Sequence, residues 1–141
     1  MDYRRVSGGR EYVARLAHGR DWRGQIEAFA DAEGIDAAFF VGLGAVQDAT
    51  LWFYDQTAQA YESMTFEEPF EVTGAVGNIS HPEERERFAH THVTLTRPDG
   101  SAIGGHLDAA TTFAGELYVR EFDGRLERAH DETTDLDLWP L

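Results

Sequence analysis

The chain has 141 residues, 42% of them hydrophobic, and no cysteine. That length fits one domain of roughly 100–200 residues with a real core, and the apolar fraction excludes a disordered chain. No apolar run approaches the roughly 18 residues of a membrane helix; without cysteine, disulfides, thiolate metal ligands and a cysteine nucleophile are all excluded.

Twenty-six acidic residues against 12 basic ones leave a net charge of −14, and every basic residue is an arginine. Self-repulsion at such a charge is relieved where salt screens it. The composition therefore points to a salt-filled cytoplasm, with an acidic protein from a GC-rich genome as the plainer alternative. The start Met1-Asp2-Tyr3-Arg4-Arg5 runs into strand-like sequence rather than a hydrophobic leader, which is the expectation for a cytoplasmic protein. Residues 1–23 hold six arginines against Asp2, Glu11 and Asp21, whereas the rest of the chain holds six against 23 acids. Such a cluster can touch phosphate, but arginines of this kind more commonly pair with acids on strand surfaces or across a subunit contact.

No repeat, linker or low-complexity stretch interrupts the chain, so residues 1–141 are expected to form a single domain. Residues 3–6 and 11–17 predict two short strands around the turn Ser7-Gly8-Gly9-Arg10. A helix follows: Asp21 can cap it, Trp22, Ile26, Phe29 and Ala30 fall on one stripe, and Gly34 can end it. The rest reads as strands. Ile35–Leu43 is a buried apolar run that breaks at Gly42-Leu43-Gly44, and Ala45–Tyr54 follows. Asp55-Gln56-Thr57 turns into Gln59–Phe66, and Phe70–Ile79, Phe88–Thr96, Ala102–Leu107 and Thr112–Phe122 complete the series. Strands this dense, joined by short turns, imply a largely antiparallel sheet or open barrel with one helix against it. His81–Arg87 is a polar connection with room for one helical turn, and the acidic tail is expected to dock loosely or pair with a neighbour.

One constellation carries chemistry. In the strand holding His90-Thr91-His92, period two puts His90, His92, Thr94 and Thr96 on one face. Arg97-Pro98-Asp99-Gly100-Ser101 has the pattern of a three-residue hairpin loop with Gly in the left-handed bulge position. That register sets His92 opposite His106 and His90 opposite Asp108, with opposed Cβ atoms about 4.5–5.5 Å apart. A two-residue Asp99-Gly100 turn, or a bulge at Gly104-Gly105, would send His106 to the other face. Three neutral imidazoles with an open fourth position suit zinc, with nickel, iron or manganese as rivals. The plainer alternative is a row of half-exposed strand histidines bonded to one another and to Thr94. Asp108 is a candidate fourth ligand or an acceptor behind an imidazole. Asn78, Ser80 and His81 are candidate neighbours, and Asp108, Glu67, Glu68 and Glu71 are candidate acid–base groups. His18 and His130 lack a partner pattern and are expected at the surface.

Several segments in order resemble one known family. They are Phe40-Val41-Gly42-Leu43-Gly44-Ala45-Val46 with Ala49-Thr50-Leu51, Pro69-Phe70-Glu71-Val72 leading to Gly77-Asn78-Ile79-Ser80, His90-Thr91-His92-Val93, and Gly104-Gly105-His106-Leu107. Together they resemble the plant and prokaryote conserved (PPC) domain, over roughly residues 3–127, leaving 128–141 as a tail. The resemblance implies an α+β fold, a largely antiparallel sheet of about seven strands with one main packed helix, assembled as a homotrimer. It also implies similarity in fold to acetolactate decarboxylase. Stand-alone prokaryotic members keep histidines that look like a zinc site, matched here by His90, His92 and His106. The plant members follow an AT-hook and associate with nuclear proteins. No Arg-Gly-Arg-Pro-like AT-hook occurs in this chain, and its charge argues against DNA binding by the chain alone. The resulting expectation is a trimeric metal-binding protein, holding zinc or another divalent transition metal for a small anionic or carbonyl ligand. The alternative is a non-catalytic interaction module or DNA-associated regulator with a structural metal.

Overall fold

The computed structural model describes residues 1–81 and 86–141. Asp21 caps helix α1 (Trp22–Glu33): its backbone is extended, its Oδ2 accepts from Gly24 N at 2.7 Å, and Gly34 closes the helix in the left-handed region (φ 65°). Its Oδ1 accepts from Ala110 N at 3.0 Å, so one carboxylate both starts the helix and ties it to the sheet.

Strands β1 (Gly8–Leu16), β2 (Ala38–Val46), β3 (Ala49–Asp55), β4 (Ala60–Phe66), β5 (Phe70–Ser80), β6 (Phe88–Thr96), β7 (Ala102–Ala109) and β8 (Thr112–Phe122) form one sheet. Its order is β1-β8-β2-β5-β6-β7-β3-β4, antiparallel throughout. A separate hairpin pairs β9 (Ala129–Asp131) with β10 (Leu136–Leu138). The α+β class with one helix on an antiparallel sheet is as expected, with eight strands in the sheet rather than about seven.

Local expectations fail where glycine was taken for a turn. Residues 3–6 are outside the strands, and β1 is one strand with a register irregularity between Gly8 and Glu11. The glycines there form a bulge beside β8, which lets Arg10 Nε reach Glu121 at 2.7 Å. β2 does not break at Gly42-Leu43-Gly44. It runs through a register slip against β5, with Gly44 at φ 153° and packed so closely on Ala114 O that a Cβ has no room. The chain turns instead at Gln47-Asp48, where Asp48 Oδ1 accepts from Thr111 N at 2.9 Å. The helical turn considered within His81–Arg87 falls on residues 82–85, outside the described residues.

The registers align one residue from each of the eight strands into a row: Val13, Tyr118, Val41, Val76, His92, His106, Trp52 and Ser63. Opposed residues in a ladder point to the same side, so the row marks one face. The alternate residues of β6, Ala89, Thr91, Val93 and Leu95, are buried on the other face, and Ala89, Val93 and Leu95 share a core with Trp22, Ile26 and Ala30 of α1. The histidines therefore lie on the face opposite this core.

The helix seats on the sheet through the Trp22 indole. A Cβ at Gly115 would stand 2.8 Å from that ring and 2.9 Å from Leu16, and both side chains are buried with nowhere to retreat. Gly115→Ala is expected to cost about 1–3 kcal/mol by overpacking, read as a lower midpoint in chemical denaturation. An unchanged midpoint would show that the indole is free to shift.

Candidate metal centre

The site begins with a turn. Arg97 N donates to Ser101 O and Gly100 N to Arg97 O, both at 2.9 Å, with Gly100 left-handed at φ 82°. Pro98-Asp99-Gly100 is thus the three-residue loop, and the ladder runs unbroken from Thr96–Ala102 to His92–His106. Neither the two-residue turn nor a bulge at Gly104-Gly105 occurs between β6 and β7. The ladder ends at His92–His106, so His90 and Asp108 are not paired as the register alone suggested; Asp108 Oδ1 lies instead 3.6 Å from Arg23 Nη2.

His90, His92 and His106 converge. One nitrogen from each lies within 4.8 Å of the others, and the ring centroids are 4.7 Å apart for His90–His106, 5.0 Å for His90–His92 and 5.5 Å for His92–His106. His106 is buried, His90 half-buried and His92 exposed, so the cluster opens to solvent on the His92 side. Trp52 stacks on His106 at 5.8 Å and Tyr61 meets it edge-on at the same distance. Phe88 lies over His90 and His106.

Burial disfavours the imidazolium form first, and the neighbouring imidazoles and arginines add to it. His90 is lowered from 6.5 to about 3 by desolvation and then by His106, Arg128 and His92. His106 is lowered to about 4 by desolvation and then by His92, Arg23 and Arg128. Both rings are neutral at pH 7, the form that ligates metals. Among the described residues His106 Nε2 is buried without a hydrogen-bond partner. A buried polar nitrogen left unpaired is costly in a purely structural cluster, and a metal ion bound there would satisfy it.

Of the other candidates, Asn78 and Ser80 come near His90 by way of Arg128, a residue with no motif to single it out in the sequence. Its Nη2 donates to Asn78 Oδ1 and to His90 Nδ1, each at 3.1 Å. Its Nε donates to Ser80 Oγ at 2.9 Å and its Nη1 to Asp137 O at 2.7 Å. His81 turns away to Asp36 (2.9 Å). Glu68 pairs with Arg97 at 2.8 Å, and Glu71 lies opposite Thr96, beside the 97–101 turn rather than at the cluster. His18 bonds to Phe113 O, and His130 is exposed near Asp135. The tail does more than dock loosely: the β9–β10 hairpin is fixed by Tyr54 Oη donating to Thr134 O at 2.6 Å. Arg128 is thereby set beside His90, with its guanidinium 5.5 Å from the Trp139 indole centroid. Nothing local in that acidic stretch marks Arg128; a lone arginine among acids was the available signal.

The family model of the Plants and Prokaryotes Conserved (PCC) domain matches residues 3–123. A metal-containing protein from Archaeoglobus fulgidus has a similar structure, with 38% identity, a TM-score of 0.93 and 99% of each chain covered. So has a plant- and prokaryote-conserved protein from Pyrococcus horikoshii, with 28% identity, a TM-score of 0.92, and 100% of this chain and 98% of that one covered. A protein from Bacteroides thetaiotaomicron provisionally described as DNA-binding shares 29% identity at a TM-score of 0.85, over 95% and 96% of the two chains. A Staphylococcus aureus protein similar to α-acetolactate decarboxylase shares the fold alone, at 11% identity and a TM-score of 0.57, over 86% of this chain and 55% of that one. No curated protein matches the sequence.

The lowered histidines set a pH dependence. Unfolded, each ring titrates near 6.5; folded, they stay neutral down to about 4 and about 3. The unfolded state therefore binds more protons in that window, and stability is full above pH 6.5 and falls as the pH drops toward 4 and below. Denaturation midpoints of metal-free protein between pH 7 and 4 are expected to fall more steeply for the wild type than for His90→Leu. Parallel profiles would show that burial does not hold His90 neutral.

Proposed function

Because the chain belongs to the plants and prokaryotes conserved family, we propose that it is a homotrimeric protein that holds a divalent transition metal, zinc first, on His90, His92 and His106 and engages a small anionic or carbonyl ligand there. The observation that carries this is the buried Nε2 of His106, without a hydrogen-bond partner among the described residues, inside a cluster of three imidazoles. The metal-containing relative from Archaeoglobus fulgidus supports it. A bound ion would supply Lewis acidity toward a ligand oxygen. The chain's own part is positional: the β6–β7 ladder fixes His92 against His106, the aromatic rings of Trp52 and Tyr61 hold the His106 plane, and exposed His92 leaves the approach from solvent open.

Self-association is supported by the apolar end of the same sheet face. Val13, Val41, Leu43 and Val76 are each more than half exposed there, and a group of exposed apolar side chains on one face is the kind of surface that marks a protein contact. The lysine-free, acidic composition and the absence of any described helix long and apolar enough to cross a membrane fit a protein of a salty cytoplasm. The second reading, a DNA-associated regulatory platform with a structural metal, draws on the relative provisionally described as DNA-binding. A structural ion wants a closed set of four protein ligands. The described residues bring three donors together and leave His92 exposed, which favours the ligand-binding reading.

His92→Ala is expected to abolish tight zinc binding in untagged protein, read by elemental analysis, while light scattering still reports a trimer. Stoichiometric zinc in that variant would overturn the three-histidine site. Val13→Asp combined with Val41→Asp is expected to give monomers in light scattering with zinc content retained; an unchanged mass would place the subunit contact elsewhere.

A further inference from the structure

A neutral imidazole has one nitrogen lone pair and one N–H. Arg128 has donors only, so its contact with His90 Nδ1 at 3.1 Å takes the His90 lone pair and leaves the proton on Nε2. If an ion takes Nδ1, Arg128 must leave it. If an ion takes Nε2, the proton moves to Nδ1, where it faces another donor. By either nitrogen, the Arg128 hydrogen bond and metal ligation by His90 exclude each other.

Release from His90 would leave the guanidinium hydrogen-bonded only to uncharged acceptors, with the Asp137 carboxylate acting on it from beyond ion-pair distance. All four acceptors around it, Ser80 Oγ, Asn78 Oδ1, His90 Nδ1 and Asp137 O, are neutral. Among the described residues no carboxylate forms an ion pair with it, although twelve contacts of other arginines and histidines there are made to acids. The group is half-buried and held by its own hairpin against Trp139, so it stays at the cluster when one bond is lost. A guanidinium whose hydrogen bonds all go to uncharged acceptors, next to a cation site and with one N–H set free by the cation, is a receiver for an oxyanion.

Resting on the three-histidine reading, we propose that Arg128 is the anion-binding residue of the site. It stoppers His90 in the metal-free protein, and metal loading turns its freed N–H toward a carboxylate or similar oxyanion of the ligand, so that metal and anion bind with positive coupling. The coupling is reciprocal: the anion must tighten the metal by the factor that the metal tightens the anion.

The test uses full-length protein, cobalt(II) as the metal and sodium acetate as the probe. Cobalt content is measured first. If the wild type takes up no cobalt or zinc, the three-histidine reading fails and this proposal fails with it. With metal bound, acetate is titrated against the visible cobalt bands and by calorimetry into metal-free protein. Arg128→Gln is expected to weaken acetate binding to loaded protein about ten- to hundred-fold, the loss of a charge-assisted hydrogen bond, and Arg128→Lys less. Arg128→Gln is also expected to tighten cobalt in acetate-free buffer, read by chelator competition. Acetate affinity within twofold of wild type, or weaker cobalt binding in that buffer, would overturn the role of Arg128 while leaving the metal site standing. Long-range 1H–15N NMR of the metal-free wild type needs no variant: it is expected to show His90 protonated on Nε2, and a proton on Nδ1 would overturn the stoppering contact.

Discussion

The site depends on the register of one hairpin. Arg97 and Ser101 close a three-residue loop, with Gly100 in the left-handed position that only a residue without a Cβ occupies freely. From there the pairing of β6 with β7 is fixed residue by residue to His92 opposite His106. Side chains alternate along a strand, so a slip of one residue would carry His106 into the apolar core and leave His90 and His92 without a third partner. The six other pairings then extend the same row to both edges of the sheet. The histidine cluster toward one end of that face and exposed valines toward the other follow from a single set of registers.

This dependence explains what was legible in the sequence. The caps of α1 and the 97–101 loop are decided within a few residues, by Asp21, Gly34 and the Pro-Asp-Gly order, so local chemistry sufficed. The three histidines follow from that loop by counting. Glycine was the main source of error because it permits both a turn and a bulge, and only the neighbouring strand chooses. Gly44 is a bulge because β8 lies close enough for Ala114 O to need the missing Cβ, and no local residue announces that neighbour. Gly8 and Gly9 fail in the same way against β8.

Arg128 and Trp52 were illegible for a different reason. They come to His106 and His90 through contacts between segments far apart in the chain: Trp52 through the β3–β7 pairing, and Arg128 through a hairpin held by Tyr54 and Gln59. Such placements depend on strand order. A sheet ordered β1-β8-β2-β5-β6-β7-β3-β4 separates β2 from β3 and β7 from β8, although each pair is consecutive in the chain, and an alternating pattern says which face a residue takes but not which strand lies beside it.

The acidity and the site bear on each other. A carboxylate ligand would be the ordinary complement to three histidines, and the chain has 26 acids to draw on. Yet Asp108, the candidate that the hairpin register suggests, lies toward Arg23, and the cluster is flanked by Arg23 and Arg128, both of which depress His106. Two guanidinium groups beside neutral imidazoles make a local positive field within a strongly negative molecule. Such a field would attract a small anion only at short range, against the repulsion of the surrounding charge. In high salt the long-range repulsion is screened over about 3 Å at 1 M, while the half-buried guanidinium keeps its short-range hold. In a chain of this composition the acidic surface and the proposed anion site therefore need not defeat one another.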